Sequence, residues 1–271
     1  METVRSKDGT VIAYDKVGQG PPLILVDGAL CYRASGPMRS LAAQLAPHFT
    51  VYFYDRRGRG DSGDTKPWAV EREIEDLEAL IAAAGGSAYV FGLSSGAALS
   101  LEAASRGLSI RKLALYEAPF VVDSTYPPMT EKYLPDLKAL VAADRRGDAV
   151  KHFLRRVGVP GVFIALMRFM PAWKRLTAVA PTLVYDISIV EPNQKGRALT
   201  KGQWTIKAPT LVVDGGKSPA WMRNGMRALA GVLPTSSYTT LDGQTHMVKS
   251  AVLGPVLVEF FNGSTVPVRP N

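Results

Sequence analysis

Short apolar runs alternate along this chain with longer segments whose apolar residues recur every three or four positions. Residues 11–17 and 23–26 read as strands, the second an unbroken apolar run behind Gly20-Pro21-Pro22, as expected of a strand buried on both faces. Residues 38–45 read as a helix ending before Pro47, and 50–54 as the next strand. In 71–84, Ile74, Leu77, Leu80 and Ile81 share one helical face. Acids fill its first turns, where the helix dipole favours them, and Gly85-Gly86 stops it. Strand 88–93, helix 95–105 and strand 112–116 follow, an alternation that specifies a parallel sheet covered by helices. After Pro119 the rhythm changes: helical segments run to about residue 203, broken by Pro127-Pro128, Pro160-Gly161, Pro171 and Pro181. Strands at 210–213 and 237–241, with helices at 220–229 and 248–261, then restore the alternation. The organisation expected is an α/β core of residues 1–119 and 207–262. A helical cap, 120–206, lies over the sheet edge where such folds bind ligands, and a flexible tail covers 263–271.

Composition narrows the class. At 271 residues with 46% hydrophobic and 21% charged content, the chain has the make-up of a globular protein, and no stretch approaches a membrane span. The start, Met1 to Gly9, has no secretory apolar core, so a cytoplasmic location is expected. Cys31 is the only cysteine, which excludes an intrachain disulfide, and the three histidines are not spaced as metal ligands. Neither a metal nor a cofactor is called for. The net charge of +8 invites a nucleic-acid or membrane reading. Residues 121–206 carry 13 Lys and Arg against 7 Asp and Glu, so most of the excess lies in the cap without an aromatic-interleaved basic ribbon. A solvated face is expected, with neither nucleic acid nor membrane as partner, and a monomer or homodimer.

The chemistry centres on Gly92-Leu93-Ser94-Ser95-Gly96, which joins an apolar strand directly to an Ala/Leu-rich helix. A serine flanked by small residues at such a bend is lifted out of the core, making Ser94 the candidate nucleophile. A nucleophilic serine needs a base, a group orienting that base and donors for the oxyanion. His246, between the last expected strand and the last helix, hangs over the same sheet edge as Ser94. His48 belongs to the opposite end and His152 to a charged helix of the cap. Glu117 closes the strand 112–116 and Asp214 the strand 210–213. A carboxylate ending an apolar strand needs a partner, because burial of an unpaired charge is costly.

With these motifs and Tyr54-Asp55-Arg56-Arg57-Gly58-Arg59-Gly60-Asp61-Ser62, the chain resembles the α/β-hydrolase superfamily from about residue 11 to 261. The resemblance implies a mostly parallel eight-stranded sheet flanked by helices, a cap inserted after the sixth strand, and a triad of Ser94, Glu117 and His246. It also implies backbone oxyanion donors at Ala29 and Ser95. Two departures stand out. The loop after the third strand usually begins His-Gly but here reads Asp27-Gly28-Ala29-Leu30, and the usual acid position after the seventh strand holds Ser218. Some members carry the acid after the sixth strand, which favours Glu117 over Asp214. Leu30, Tyr32, Phe120, Phe163, Met167 and Met247 are the expected substrate-pocket walls. The arginines and aspartates of 55–62 are expected to tie a tight turn. The activity implied is hydrolysis of small carboxylic esters, lactones or thioesters through an acyl-enzyme. Relatives with perhydrolase, hydroxynitrile lyase or carbon–carbon hydrolase chemistry, or with ligand binding alone, supply the alternatives.

Overall fold

The computed structural model describes residues 1–263, so the tail expected at 263–271 lies, apart from Gly263, outside the described residues. Eight strands form one sheet: β1 (Glu2–Arg5), β2 (Val11–Val17), β3 (Pro22–Val26), β4 (Thr50–Tyr54), β5 (Ala88–Leu93), β6 (Ile110–Tyr116), β7 (Thr210–Gly215) and β8 (Ser236–Leu241). Their spatial order is β1-β2-β4-β3-β5-β6-β7-β8. β2 runs antiparallel to both β1 and β4, and every pairing from β4 to β8 is parallel. β3, β5, β6 and β7 are almost entirely buried, because helices cover both faces and leave no solvent side on which polar residues could alternate.

The two layers of helix follow from chain order. Around the sheet lie α1 (Met38–Leu45), α2 (Val70–Ala83) and α3 (Ser95–Ser105). Between β6 and β7 the chain makes an all-helical insertion, α4 (Tyr133–Ala142), α5 (Arg146–Arg156), α6 (Gly161–Met167), α7 (Pro171–Ala178) and α8 (Leu183–Val190). The core resumes with α9 (Ala220–Val232) and α10 (Ser250–Phe261). One apolar cluster unites α2, α3 and the insertion with one face of the sheet, through residues such as Leu77, Leu101, Leu137, Leu183 and Ile187. A second packs α1 and α10 on the other face, where Phe49 meets Phe261 edge-on with ring centres 6.0 Å apart. No described helix is long and apolar enough to cross a membrane.

The register brings five strand ends to one edge. Val26 pairs with Gly92, Leu93 with Tyr116, Tyr116 with Val213 and Gly215 with Leu241. The residues just beyond these pairs, Asp27, Ser94, Glu117 and the loop leading to His246, therefore share that edge, which in open α/β sheets is the ligand-binding one.

Candidate active site

Ser94 sits between β5 and α3 with φ +57°, outside the range L-residues normally adopt. The bend holds because Gly92 and Gly96 have no side chains: a Cβ on Gly92 would lie 2.6 Å from the Cα of Ala97, and one on Gly96 would collide with the Val26 and Asp27 carbonyls. The Ser94 N–H donates to the Tyr116 carbonyl at 2.9 Å, so sheet pairing continues into the bend. Among the described residues, four other than glycine have positive φ: Leu30, Ser94, Glu117 and Asp144. Three of them lie at this edge. Each such residue costs on the order of 1–3 kcal/mol, and strain of this kind gathers where geometry serves chemistry.

Glu117 is completely buried at the end of β6, and both of its oxygens are engaged. Oε1 accepts the Gly215 N–H at 2.7 Å, and Oε2 lies 2.8 Å from His246 Nδ1. The carboxylate can only accept, so Nδ1 carries the proton and Nε2 keeps its lone pair. The loop bearing His246 is pinned by Tyr116, whose hydroxyl donates to the Thr245 carbonyl at 2.7 Å. The His246 side chain is 35% exposed, open to a ligand on its free side. Ser94 Oγ makes no hydrogen bond to His246 among the described residues, a contact that in unliganded sites is often long until substrate arrives.

Asp214 has other company. Its Oδ2 accepts the Tyr238 hydroxyl, Oδ1 has no partner among the described residues, and burial raises its carboxyl above the usual range. Ser218, at the family's usual acid position, is buried with an unpartnered hydroxyl.

On the other side of Ser94, a Cβ on Gly28 would stand 3.0 Å from Ser94 Cβ, so the β3 loop passes directly against the serine. Neither the Ala29 nor the Ser95 N–H finds an acceptor among the described residues. Asp27, where the family usually has histidine, is buried with Oδ1 accepting the Gly28 N–H at 2.8 Å. Burial pushes its carboxyl up to about 7, against the opposing effects of the Gly28 N–H, Arg59, Cys31 and Arg56. The raised value means that the folded state favours the neutral acid. Asp27's favourable contribution to stability is complete below its ordinary value of 3.8 and is lost as pH rises towards 7. Asp27→Asn should retain the acceptor for Gly28 and escape that loss. The difference in melting temperature, variant minus parent, is expected to grow between about pH 4 and pH 7 and then level off. A difference that stays flat across this window would rule the mechanism out.

The expected wall residues divide. Leu30 is buried, and Tyr32 and Met167 pack against the same cluster. Phe120 is buried face to face with Trp204, ring centres 5.8 Å apart, as part of the core. Phe163 and Met247 are 60% and 80% exposed, so neither forms an enclosed wall in this structure; an apolar residue on a short loop or helix does not reveal from sequence alone which side it faces. Cys31 is half-buried, and burial raises its thiol far above the ordinary range, which leaves it a poor nucleophile.

The Asp55 to Ser62 stretch does more than tie a turn. Asp55 accepts from the Arg33 and Asp61 amides, as a turn tie should. Arg56, Arg57 and Arg59, however, are buried and reach away from it. Arg56 grips Glu73 through two hydrogen bonds of 2.6 and 2.9 Å, and Arg57 grips Asp76 at 2.8 and 2.6 Å. Two acids of α2 that sequence reasoning assigned to the helix dipole thus serve buried ion pairs.

The model of the alpha/beta hydrolase family matches residues 12–252. The chain belongs to the alpha/beta hydrolase family. Its solved structural neighbours include an alpha/beta hydrolase from Sphaerobacter thermophilus DSM 20745, 52% identical, with TM-score 0.88 over 96% of this chain and 100% of that one. Among curated relatives, the pimeloyl-[acyl-carrier protein] methyl ester esterase of Xanthomonas campestris pv. campestris (strain B100) is 30% identical over 240 residues, 86% of this chain and 90% of the relative. The enol-lactonase of Burkholderia xenovorans LB400 shares the fold at 20% identity and TM-score 0.68, covering 96% of this chain and 100% of its own. For the alpha/beta hydrolase family the edge described here is the expected location of an active site.

Proposed function

We propose that this family member is a serine hydrolase of small carboxylic esters. The observation that carries the reading is the fully buried Glu117, which holds His246 by Nδ1 at the sheet edge where the strained Ser94 bend emerges. In this reading Ser94 Oγ attacks the ester carbonyl while His246 Nε2 takes its proton. Glu117 keeps the imidazole in that tautomer and stabilises its charged form. The amides of Ala29 and Ser95 receive the oxyanion, and their unused N–H groups support that role. Collapse of the intermediate expels the alcohol with the proton from His246 and leaves an acyl group on Ser94. Water, activated by the same histidine, then releases the acid. The esterase relative supports an ester substrate, and Leu30, Tyr32 and Met167, which pack in the apolar cluster on this face of the sheet, are the residues proposed to meet its acyl chain.

The test combines a substrate panel with covalent labelling. Aryl esters from short to long chain and simple lactones should be turned over, and a fluorophosphonate should leave one adduct, on the peptide containing Ser94. Absence of both turnover and adduct would point instead to a site that binds without reacting.

A further inference from the structure

The oxyanion donors proposed above depend on two backbone amides, and backbone amides are aimed only by what holds their peptide planes. Asp186, on α8 of the insertion, touches both arrangements. It is buried; Oδ1 accepts the Ser95 hydroxyl at 2.7 Å and Arg56 Nη1 at 2.6 Å, and Oδ2 accepts Arg59 Nη2 at 2.6 Å. Arg59 continues the chain of contacts into the β3 loop. Its Nη1 donates to the Gly28 carbonyl at 2.6 Å and the Cys31 carbonyl at 3.1 Å, and its Nε donates to Thr182 Oγ1 at 3.0 Å, beside the start of α8. The Gly28 carbonyl and the Ala29 N–H are opposite ends of one planar peptide group, so a guanidinium fixed on the oxygen sets the direction of the hydrogen. Leu30, held at φ +62°, and the Cys31 carbonyl close the far side of the loop. Arg56 completes the set from below, with Nη1 also reaching Ser95 Oγ at 3.2 Å and the Asp27 carbonyl at 3.4 Å.

The charges make Asp186 the keystone of this set. Burial opposes its ionisation, yet Arg59, Arg56 and the Ser95 hydroxyl outweigh that and hold its carboxyl below the usual range. Without it Arg59 would keep only neutral partners, the Thr182 hydroxyl and two carbonyls, and Arg56 would keep Glu73 as its one buried counterion.

We propose that Asp186 is a positioning residue for oxyanion stabilisation, aiming the Ser95 amide through Ser95 Oγ and the Ala29 amide through Arg59. The proposal rests on the reading of Ser94 as the nucleophile. It makes the helical insertion part of the machinery that sets transition-state geometry, a role separate from covering substrate.

Asp186→Asn would put an amide N–H against one of its donors. A purely structural carboxylate would then lower melting temperature and the fraction of active protein while leaving each remaining site as fast as before. Positioning predicts otherwise. Counted per fluorophosphonate-titrated site, kcat should fall about 10- to 100-fold with KM changed less than about 3-fold, less than the roughly 10²–10³ lost when a donor is removed outright. Ser95→Ala keeps both ion pairs of Asp186 and should lower kcat about 5- to 10-fold. Thr182→Val, which takes an acceptor from Arg59, should act in the same direction. The pair Asp186→Asn with Ser95→Ala should lose less than the product of the two single losses, because the Ser95 hydroxyl acts through its bond to Asp186. If Asp186→Asn does not fold, the Ser95 and Thr182 variants decide. Unchanged kcat per titrated site in those two, with the parent protein still labelled on Ser94, overturns the proposal and leaves the hydrolase reading standing. A parent protein that takes no label on Ser94 overturns both.

Discussion

Ser94→Ala is expected to lower kcat on the fastest aryl ester by about 10⁴–10⁶ and to abolish the fluorophosphonate adduct, with melting temperature within a few degrees of the parent. The stability expectation follows from the local structure. Alanine keeps the Cβ that the positive φ already accommodates, and the bend is secured by Gly92, Gly96 and the Ser94 N–H bond to Tyr116, none of which involves the hydroxyl. Ser95 cannot take over the attack, since its Oγ is bound to Asp186. Cys31 cannot either, because burial keeps its thiol protonated. A variant that retained more than about a hundredth of the turnover, or whose adduct moved to another residue, would remove Ser94 from the mechanism.

The second large effect concerns the acid. Glu117→Gln should reduce kcat by up to about 10⁴ while preserving the fold. The wild-type contacts explain why the amide would be locked the wrong way round. Oε1 must still accept the Gly215 N–H, which leaves the new NH₂ facing His246 Nδ1. Nδ1 would then have to accept, the ring proton would sit on Nε2, and the base needed by Ser94 would be blocked. Asp214→Asn should change kcat less than about 3-fold, since Asp214 faces Tyr238 while His246 is held by Glu117, and asparagine keeps an oxygen to accept the Tyr238 hydroxyl. Both variants need matching melting curves, which separate chemistry from unfolding. Loss of turnover in Asp214→Asn with Glu117→Gln active would reverse the assignment.

Seven of the eight strands are legible: β3, β4, β5 and β7 as continuous buried apolar runs, and β2, β6 and β8 as shorter, more polar segments in their places in the strand-helix alternation. β1 is not, because it is an edge strand of which Val4 alone is half-buried, and the short run Glu2-Thr3-Val4-Arg5 gives no period to read. The edge carrying Ser94, Glu117 and His246 follows from strand-end positions; the cost of an unpaired carboxylate singles out Glu117 and Asp214 alike, and only the resemblance favours Glu117 between them. The network around Asp186 is invisible in sequence. Its one local sign is an acid inside the apolar run Leu183-Val184-Tyr185-Asp186-Ile187-Ser188-Ile189-Val190, but its partners Arg56 and Ser95 lie 130 and 91 residues away. The same limit applies to Phe163 and Met247, whose side chains face outward. Hydrophobicity says that a side chain gains from burial; only the packed neighbours say whether burial is on offer.

Glu117 also has a consequence for how the enzyme comes into being. Its two oxygens reach Gly215, the last residue of β7, and His246 on the loop after β8, made 98 and 129 residues later in the chain. Helices form early and locally, whereas parallel pairing across such separations is slow. Turnover should therefore be a late clock in refolding, returning after the helical signal and only when the second half of the sheet has zipped onto the first.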